Sequence, residues 1–206
     1  MLDQSCVVAF TPSVRAEQER YGSRRQYARY EAAGGFRTAL DEATAAFVGT
    51  VDTAFLATVN ADGRPYVQHR GGPAGFIRVA APDRLLIADR EGNRQYVTTG
   101  NLRDNAKAFL FLIDYENLRR VKIWGEAAMR EPTPELRAAL GPEGDDPGLL
   151  RVLEFRIEAL DVNCPKFIPR KIGADKVLAA VHGLQDRIRA LEEENAVLRA
   201  ANRFDR

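Results

Sequence analysis

The sequence predicts a mainly β protein with flanking helices, an α+β chain built around an antiparallel barrel or sandwich. Three observations carry this. Short β-type runs joined by tight turns fill the middle of the chain. The first fifty residues are rich in Arg, Glu, Gln and Ala with helical spacing of bulky residues. The last thirty alternate apolar spacings of four and three. Strands that follow one another with little helix between them pair antiparallel. The expected organisation is a helical segment over 1–50, a β domain over 51–172 and an amphipathic helix over 173–206. A chain of 206 residues buries roughly 70% of its unfolded surface, so folding needs no disulfide or metal.

The elements follow in order. Val14–Ala33 reads as one helix, anchored by Tyr21, Tyr27 and Tyr30 and broken at Gly34-Gly35. A second helix is expected over Arg37–Thr50, with Phe36, Leu40, Ala43 and Phe47 as its apolar face. Thr53–Val59 and Pro65–His69 are strands joined by Asn60-Ala61-Asp62-Gly63-Arg64, where Asp-Gly tolerates the positive φ of a tight turn. Phe76–Ala80 and Arg84–Ala88 follow around Ala81-Pro82-Asp83, then a short helix within Val97–Lys107. Further β-type runs are Ala108–Asp114, Arg120–Met129 and Leu149–Val162. Thr133 and Pro134 are N-cap and first residue of a helix ending near Leu140.

The tail has a heptad pattern. With Val181, Ile188 and Asn195 at position a, Leu184, Leu191 and Leu198 fall at d. β-Branched residues at a with Leu at d favour a parallel two-stranded coiled coil, and Asn at a sets register. A lone amphipathic helix packed on its own chain is the competing expectation.

Composition excludes several classes. The 30 Lys+Arg against 29 Asp+Glu lack the basic excess of a nucleic-acid footprint. No run of about 18 apolar residues predicts a membrane span. Cys6–Phe10 is short and has no basic stretch before it, so a cytoplasmic protein is expected. Two cysteines and two histidines, with no CxxC or HExxH, give no metal motif.

Two polar, glycine-containing segments are the candidate binding elements, Gln68-His69-Arg70-Gly71-Gly72-Pro73 and Asp89-Arg90-Glu91-Gly92-Asn93-Arg94-Gln95. Arg70 and Arg94 stand at strand ends next to glycine, where a guanidinium can fork onto a phosphate while backbone N–H groups approach closely. Either loop alone reads as a hairpin with solvated arginines. Both in one small domain point to an anion site. Trp124 reads as core or as a ring-stacking residue, and Cys164 as a small packed residue.

At FLATVNADGRPYVQHRGGPAGFIRV, LLIADREGNRQYVTTGNL and AFLFLIDYENLRRVKIWGEA the chain resembles the pyridoxamine 5′-phosphate oxidase-related, FMN-binding split-barrel proteins, over about residues 50 to 130 and again at Asn163–Pro169. The resemblance implies a six-stranded antiparallel split β-barrel, acting as a homodimer with FMN at the subunit interface. It implies a phosphate grip at Asn93, Arg94 and Gln95, with Gln95 standing where the family often has Lys. It places Gln68, His69, Arg70, Gly71, Ala88 and Asp89 along the cofactor. It assigns Arg120 and Lys122 to a flavin-contacting strand, and Asn163 and Lys166 to the partner subunit. The oxidases themselves end in an Arg-x-His grip that this heptad tail lacks. The expected function is therefore an FMN-dependent oxidoreductase acting on a small molecule with NAD(P)H or O₂, the alternatives being a flavin-binding module without turnover or a genuine pyridoxamine 5′-phosphate oxidase. Neither nucleic acid nor membrane is expected as a partner.

Overall fold

The computed structural model describes residues 4–163 and 166–204. All seven β-type runs form strands: β1 (Thr53–Val59), β2 (Pro65–Gly71), β3 (Ile77–Ala81), β4 (Arg84–Arg90), β5 (Lys107–Asp114), β6 (Arg119–Arg130) and β7 (Leu149–Asn163). They make one antiparallel sheet in the order β2-β1-β5-β6-β7-β4-β3. This corrects the six strands that the family resemblance implied, and the sheet is open rather than closed. The turn after Ala81 keeps Ile77 opposite Ile87, so β3 persists as an additional edge strand. Between β2 and β3 lies Gly72–Phe76 with Pro73, which has no N–H to donate, and no β2–β3 ladder forms among the described residues.

Alternation sets the core. Ala54 and Leu56 of β1, Leu110 and Leu112 of β5, and Val121 and Ile123 of β6 are all buried on one sheet face. They join Leu85, Ile87, Leu153, Phe155 and Leu160 in the main cluster. Strand β4 is buried on both faces. Its opposite side, Leu86 and Ala88, packs in a second cluster with Leu140, Leu149 and Val152, where Leu140 ends α6 (Pro134–Leu140). Thr133 caps α6 by accepting from the Leu136 N–H at 3.4 Å, as its sequence signal predicts.

The N-terminal helices are shorter than their periodicity suggested. After α1 (Gln4–Val7), the long run splits into α2 (Pro12–Arg20) and α3 (Arg24–Ala32). Gly22 adopts φ +76°, a left-handed conformation that ends α2, and α3 starts two residues later. Buried Glu31 ties the pair by accepting from Arg24 at 2.6 Å, with Arg15 at 3.3 Å. The next helix, α4 (Glu42–Val48), begins late because the Asp41 carboxylate accepts from the Thr44 N–H at 2.8 Å and caps it there. Phe36 and Leu40 therefore precede the helix and part company. Leu40 joins the main core with Phe47, while Phe36 packs with Cys6 and Ala159 and against Trp124. Trp124 also meets Phe109 edge-on at 5.1 Å, so its indole is a packing residue.

Contacts divide the chain into two compact units, 1–114 with 119–166, and 115–118 with 167–206. The second unit holds α7 (Ala174–Phe204). Within it the Lys171 ammonium lies 4.2 Å from the Tyr115 ring centre, and Lys176 pairs with Glu116 at 2.7 Å. No helix of the described residues is long and apolar enough to cross a membrane.

β6 and β7 change register between Trp124 and Gly125. A Cβ at Gly125 would lie 2.0 Å from the Arg156 carbonyl oxygen, a backbone atom that has no rotamer to escape into. Gly125→Ala is expected to lower stability by about 1–3 kcal/mol through overpacking, measured as a lower denaturant midpoint at unchanged slope.

Candidate functional site

The β2 end, the β4 end and the loop after β4 converge on one cavity of about 370 Å³. This volume lies within the range of small-molecule sites. Gln68, His69, Arg70, Gly71, Ala88, Asp89, Asn93, Arg94 and Gln95 all border it. The two candidate segments, separate in the sequence, thus line one cavity.

The cavity wall is set by strand alternation. Asp89 continues the face of β4 that carries Leu85 and Ile87, and lies directly opposite Arg151 of β7. Arg70 lies opposite buried Ala54 and points inward from edge strand β2. The result is a buried ionic triad. One Asp89 carboxylate oxygen accepts from Arg70 at 2.6 Å, the other from Arg151 at 2.9 and 3.1 Å. The Asp89 side chain is 8% exposed and that of Arg70 13%. Arg70 Nε is also buried and has no hydrogen-bond partner among the described residues.

The opposite wall is the Glu91–Tyr96 loop. Arg94 (φ 59°) and Tyr96 (φ 54°) both occupy the left-handed region, which costs a non-glycine residue about 1–3 kcal/mol. The Asn93 amide braces the loop, accepting from the Gln95 N–H at 3.1 Å and donating to the Gln95 side-chain oxygen at 3.2 Å. Exposed Arg94 pairs with Glu91. The loop runs into α5 (Val97–Asp104), whose first residues Val97, Thr98 and Thr99 border the cavity. The N–H groups of a first helical turn have no partner within the helix and favour anions. Thr98 donates to Gln68 at 2.6 Å and Asn101 to Thr58 at 3.0 Å, fixing α5 on β2 and β1.

The remaining expected residues differ in their placement. His69 points to the other face of β2 from Gln68 and Arg70, meets Phe55 edge-on at 5.7 Å and also borders the cavity. Ala88 borders the cavity, but its methyl belongs to the second core cluster. Arg120 and Lys122 share the outer face of β6, with Val121 and Ile123 buried behind them. Lys122 lies 3.7 Å from Asp161, opposite Phe111, which in turn lies opposite Phe55. Asn163 ends β7 opposite Arg120, and its side chain is outside the described residues, as is Cys164. Lys166 is exposed in the turn that follows. None of these last residues borders the cavity of its own chain.

Arg90, inside the candidate segment Asp89–Gln95, also borders the cavity, as do Tyr96 and Thr98 just beyond that segment and Arg151 and Glu143, none of which the sequence singled out as site residues. Arg151 sits inside an apolar β run, and only the β4–β7 register brings it to Asp89. Its guanidinium also lies 5.3 Å from the Tyr96 ring centre. Arg90 pairs with Glu143 and Asp146 at the rim.

The pyridoxamine 5′-phosphate oxidase profile matches residues 40–164, more than half of the chain. The chain belongs to the pyridoxamine 5′-phosphate oxidase family. The matched span contains β1 to β7 and every cavity residue. Among curated proteins none matches this family member. Solved structures similar to it include HupZ of Group A Streptococcus, at 18% identity and TM-score 0.49, covering 65% of this chain and 100% of that one. A pyridoxamine 5′-phosphate oxidase candidate from Lactobacillus delbrueckii has 22% identity and TM-score 0.48, covering 61% and 95%. An FMN-binding protein of Syntrophomonas wolfei has 16% identity and TM-score 0.42, covering 74% and 95%.

Two measurements check this site. Asp89→Ala leaves two partly buried guanidiniums without their carboxylate and is expected to lower stability by about 3 kcal/mol, read from the denaturant midpoint. The Asp146 carboxyl is held below the usual carboxylate range, first by the Arg90 hydrogen bond and then by the Gly148 N–H. A lowered folded-state pKa contributes stability above the unfolded value near 3.9, and that contribution fades as pH falls through the folded value. Melting temperature should therefore fall below about pH 4, and Asp146→Asn should flatten that slope.

Proposed function

We propose that this family member is an FMN-binding flavoprotein, active as a homodimer, and an FMN-dependent oxidoreductase acting on a small molecule with NAD(P)H or O₂ as redox partner. The observation that carries this is the convergence of Arg70 and the Arg94 loop on one cavity within the family-matched span.

The donor set suits a dianionic phosphate and a planar ring. Arg94, the Asn93–Gln95 loop and the N–H groups opening α5 would take the phosphate. Phe76 and Ile87 offer apolar contact for a ring, and Gln68, Arg70 and Asp89 offer polar groups to orient it. The Arg70 Nε without a protein acceptor gives the cavity one unused buried donor. FMN, when bound, supplies the electron-transfer chemistry, so no protein nucleophile is required. The chain's own residues bind, orient and shield the group. Arg70 and Arg151 add positive charge at the wall, and Asp89 holds both in place.

Arg120, Lys122, Asn163 and Lys166 fit a site completed across a subunit interface. The outer face bearing Arg120 and Lys122 also carries half-buried Phe55, Phe111 and Ile113, a mixed apolar and cationic surface that a second copy would cover.

Titration of FMN fluorescence with the purified protein should show saturable quenching. Arg94→Ala should weaken binding by about 1.5–3 kcal/mol, the value of a hydrogen bond to a charged group. A protein that ignores FMN, or that retains a deazaflavin or haem by mass spectrometry, overturns the cofactor assignment. Anaerobic bleaching of the bound flavin by NAD(P)H separates an oxidoreductase from a flavin-binding module.

A further inference from the structure

We propose that α7 is one strand of a parallel, in-register two-stranded coiled coil formed with a second copy of this chain. The proposal concerns the second unit and stands independently of the flavin reading.

The helix runs 31 residues, about 46 Å at 1.5 Å per residue. Every residue from Ala174 to Arg199 is exposed. The exposed set includes Val181 (41%), Leu184 (65%), Ile188 (56%), Leu191 (39%) and Leu198 (55%). A helix in water draws most of its stability from burying an apolar stripe, and among the described residues this stripe is exposed.

The stripe specifies its partner. Val181, Ile188 and Asn195 form the a row, and Val177, Leu184, Leu191 and Leu198 the d row. β-Branched residues at a with leucine at d fit a pair of strands better than three or four. Asn195 decides orientation. In a parallel pair each a residue faces its own copy, so two Asn195 amides can hydrogen-bond to each other. In an antiparallel pair a faces d, and the amide would stand unpaired against leucine. In the single chain the Asn195 amide turns back to donate to the Leu191 carbonyl at 2.9 Å.

Flanking charges agree. In a parallel pair, position g of one strand faces position e of the next heptad on the other. That sets Arg187 opposite Glu192 and Glu194 opposite Arg199, both of opposite sign. None of these four has an ion-pair partner among the described residues, whereas Asp186 and Arg189, outside the seam, pair with each other at 3.5 Å. Gly183 and His182 also fall outside the seam.

Disulfide trapping in the full-length chain tests this. Leu184→Cys and Leu198→Cys place thiols at d positions far apart along the helix, and Ala190→Cys places one at an outward position. Under mild oxidation both d-position variants should form covalent dimers. Ala190→Cys and the wild type, which reports on Cys6 and Cys164, should not. A parallel pair brings the same residue together at both ends of the helix. An antiparallel pair sets d against a, so it and a lone helix would crosslink at neither position, and crosslinking at neither overturns the proposal; crosslinking at only one overturns an in-register pair along the length of α7. Trimeric mass in sedimentation would also overturn the proposal. Asn195→Ile, which needs no thiol, should raise the melting temperature of the helix while yielding mixed oligomers in sedimentation. An unchanged single species would show that Asn195 faces no partner. Crosslinking requires no flavin, so failure of the FMN titration leaves this readout intact.

Discussion

The carboxylate of Asp89, held between Arg70 and Arg151, is the contact on which the site depends. Arg70 belongs to edge strand β2 and Asp89 to β4, near the other edge of the sheet. No ladder joins β2 to β4 or β3 among the described residues, so this ionic contact links strands at the two ends of the sheet. Both carboxylate oxygens are used, which gives a buried charge the full set of partners that burial requires. The cavity lies where hydrogen bonding between strands stops and side-chain electrostatics take over.

The same triad shapes what the cavity can bind. Asp89 neutralises part of the charge of two guanidiniums and also fixes where they point. Pre-oriented donors at a low-exposure wall bind an anion without the ordering cost that a flexible surface arginine carries. The facing loop is braced in a different way. Two left-handed non-glycine residues, Arg94 and Tyr96, are held by the Asn93–Gln95 brace and by the start of α5. Backbone strain of this kind persists only where surrounding contacts enforce it.

Much of the fold was legible in the residues. All seven β-type runs became strands, the Asn60–Arg64 turn formed with Gly63 at φ +82°, and Thr133 capped its helix. These features are local, set by alternation, turn chemistry and capping. The Gln68–Gly71 and Asn93–Gln95 segments stood out in the sequence because arginine beside glycine at a strand end is a local pattern too, and both border one cavity. Arg151 was not, because an arginine within a β run is ordinary until its cross-strand partner is known. The break at Gly22 and the late start of α4 after Asp41 were missed for a related reason. Periodicity extended both helices past residues whose turn and capping preferences prevailed.

The sequence by itself determined the mainly β class, the strand positions, the two polar loops and the heptad stripe of α7. Each follows from interactions within about four residues along the chain, or from a repeat that geometry makes unavoidable. Tertiary structure alone decided the strand order, the open sheet with β2 and β3 at its edges, and the meeting of Asp89 with Arg70 and Arg151. Those contacts span 19 and 62 residues of chain. Register, not local preference, chooses such partners, because a shift of one residue would turn Asp89 away from Arg70 and to the opposite face of its strand.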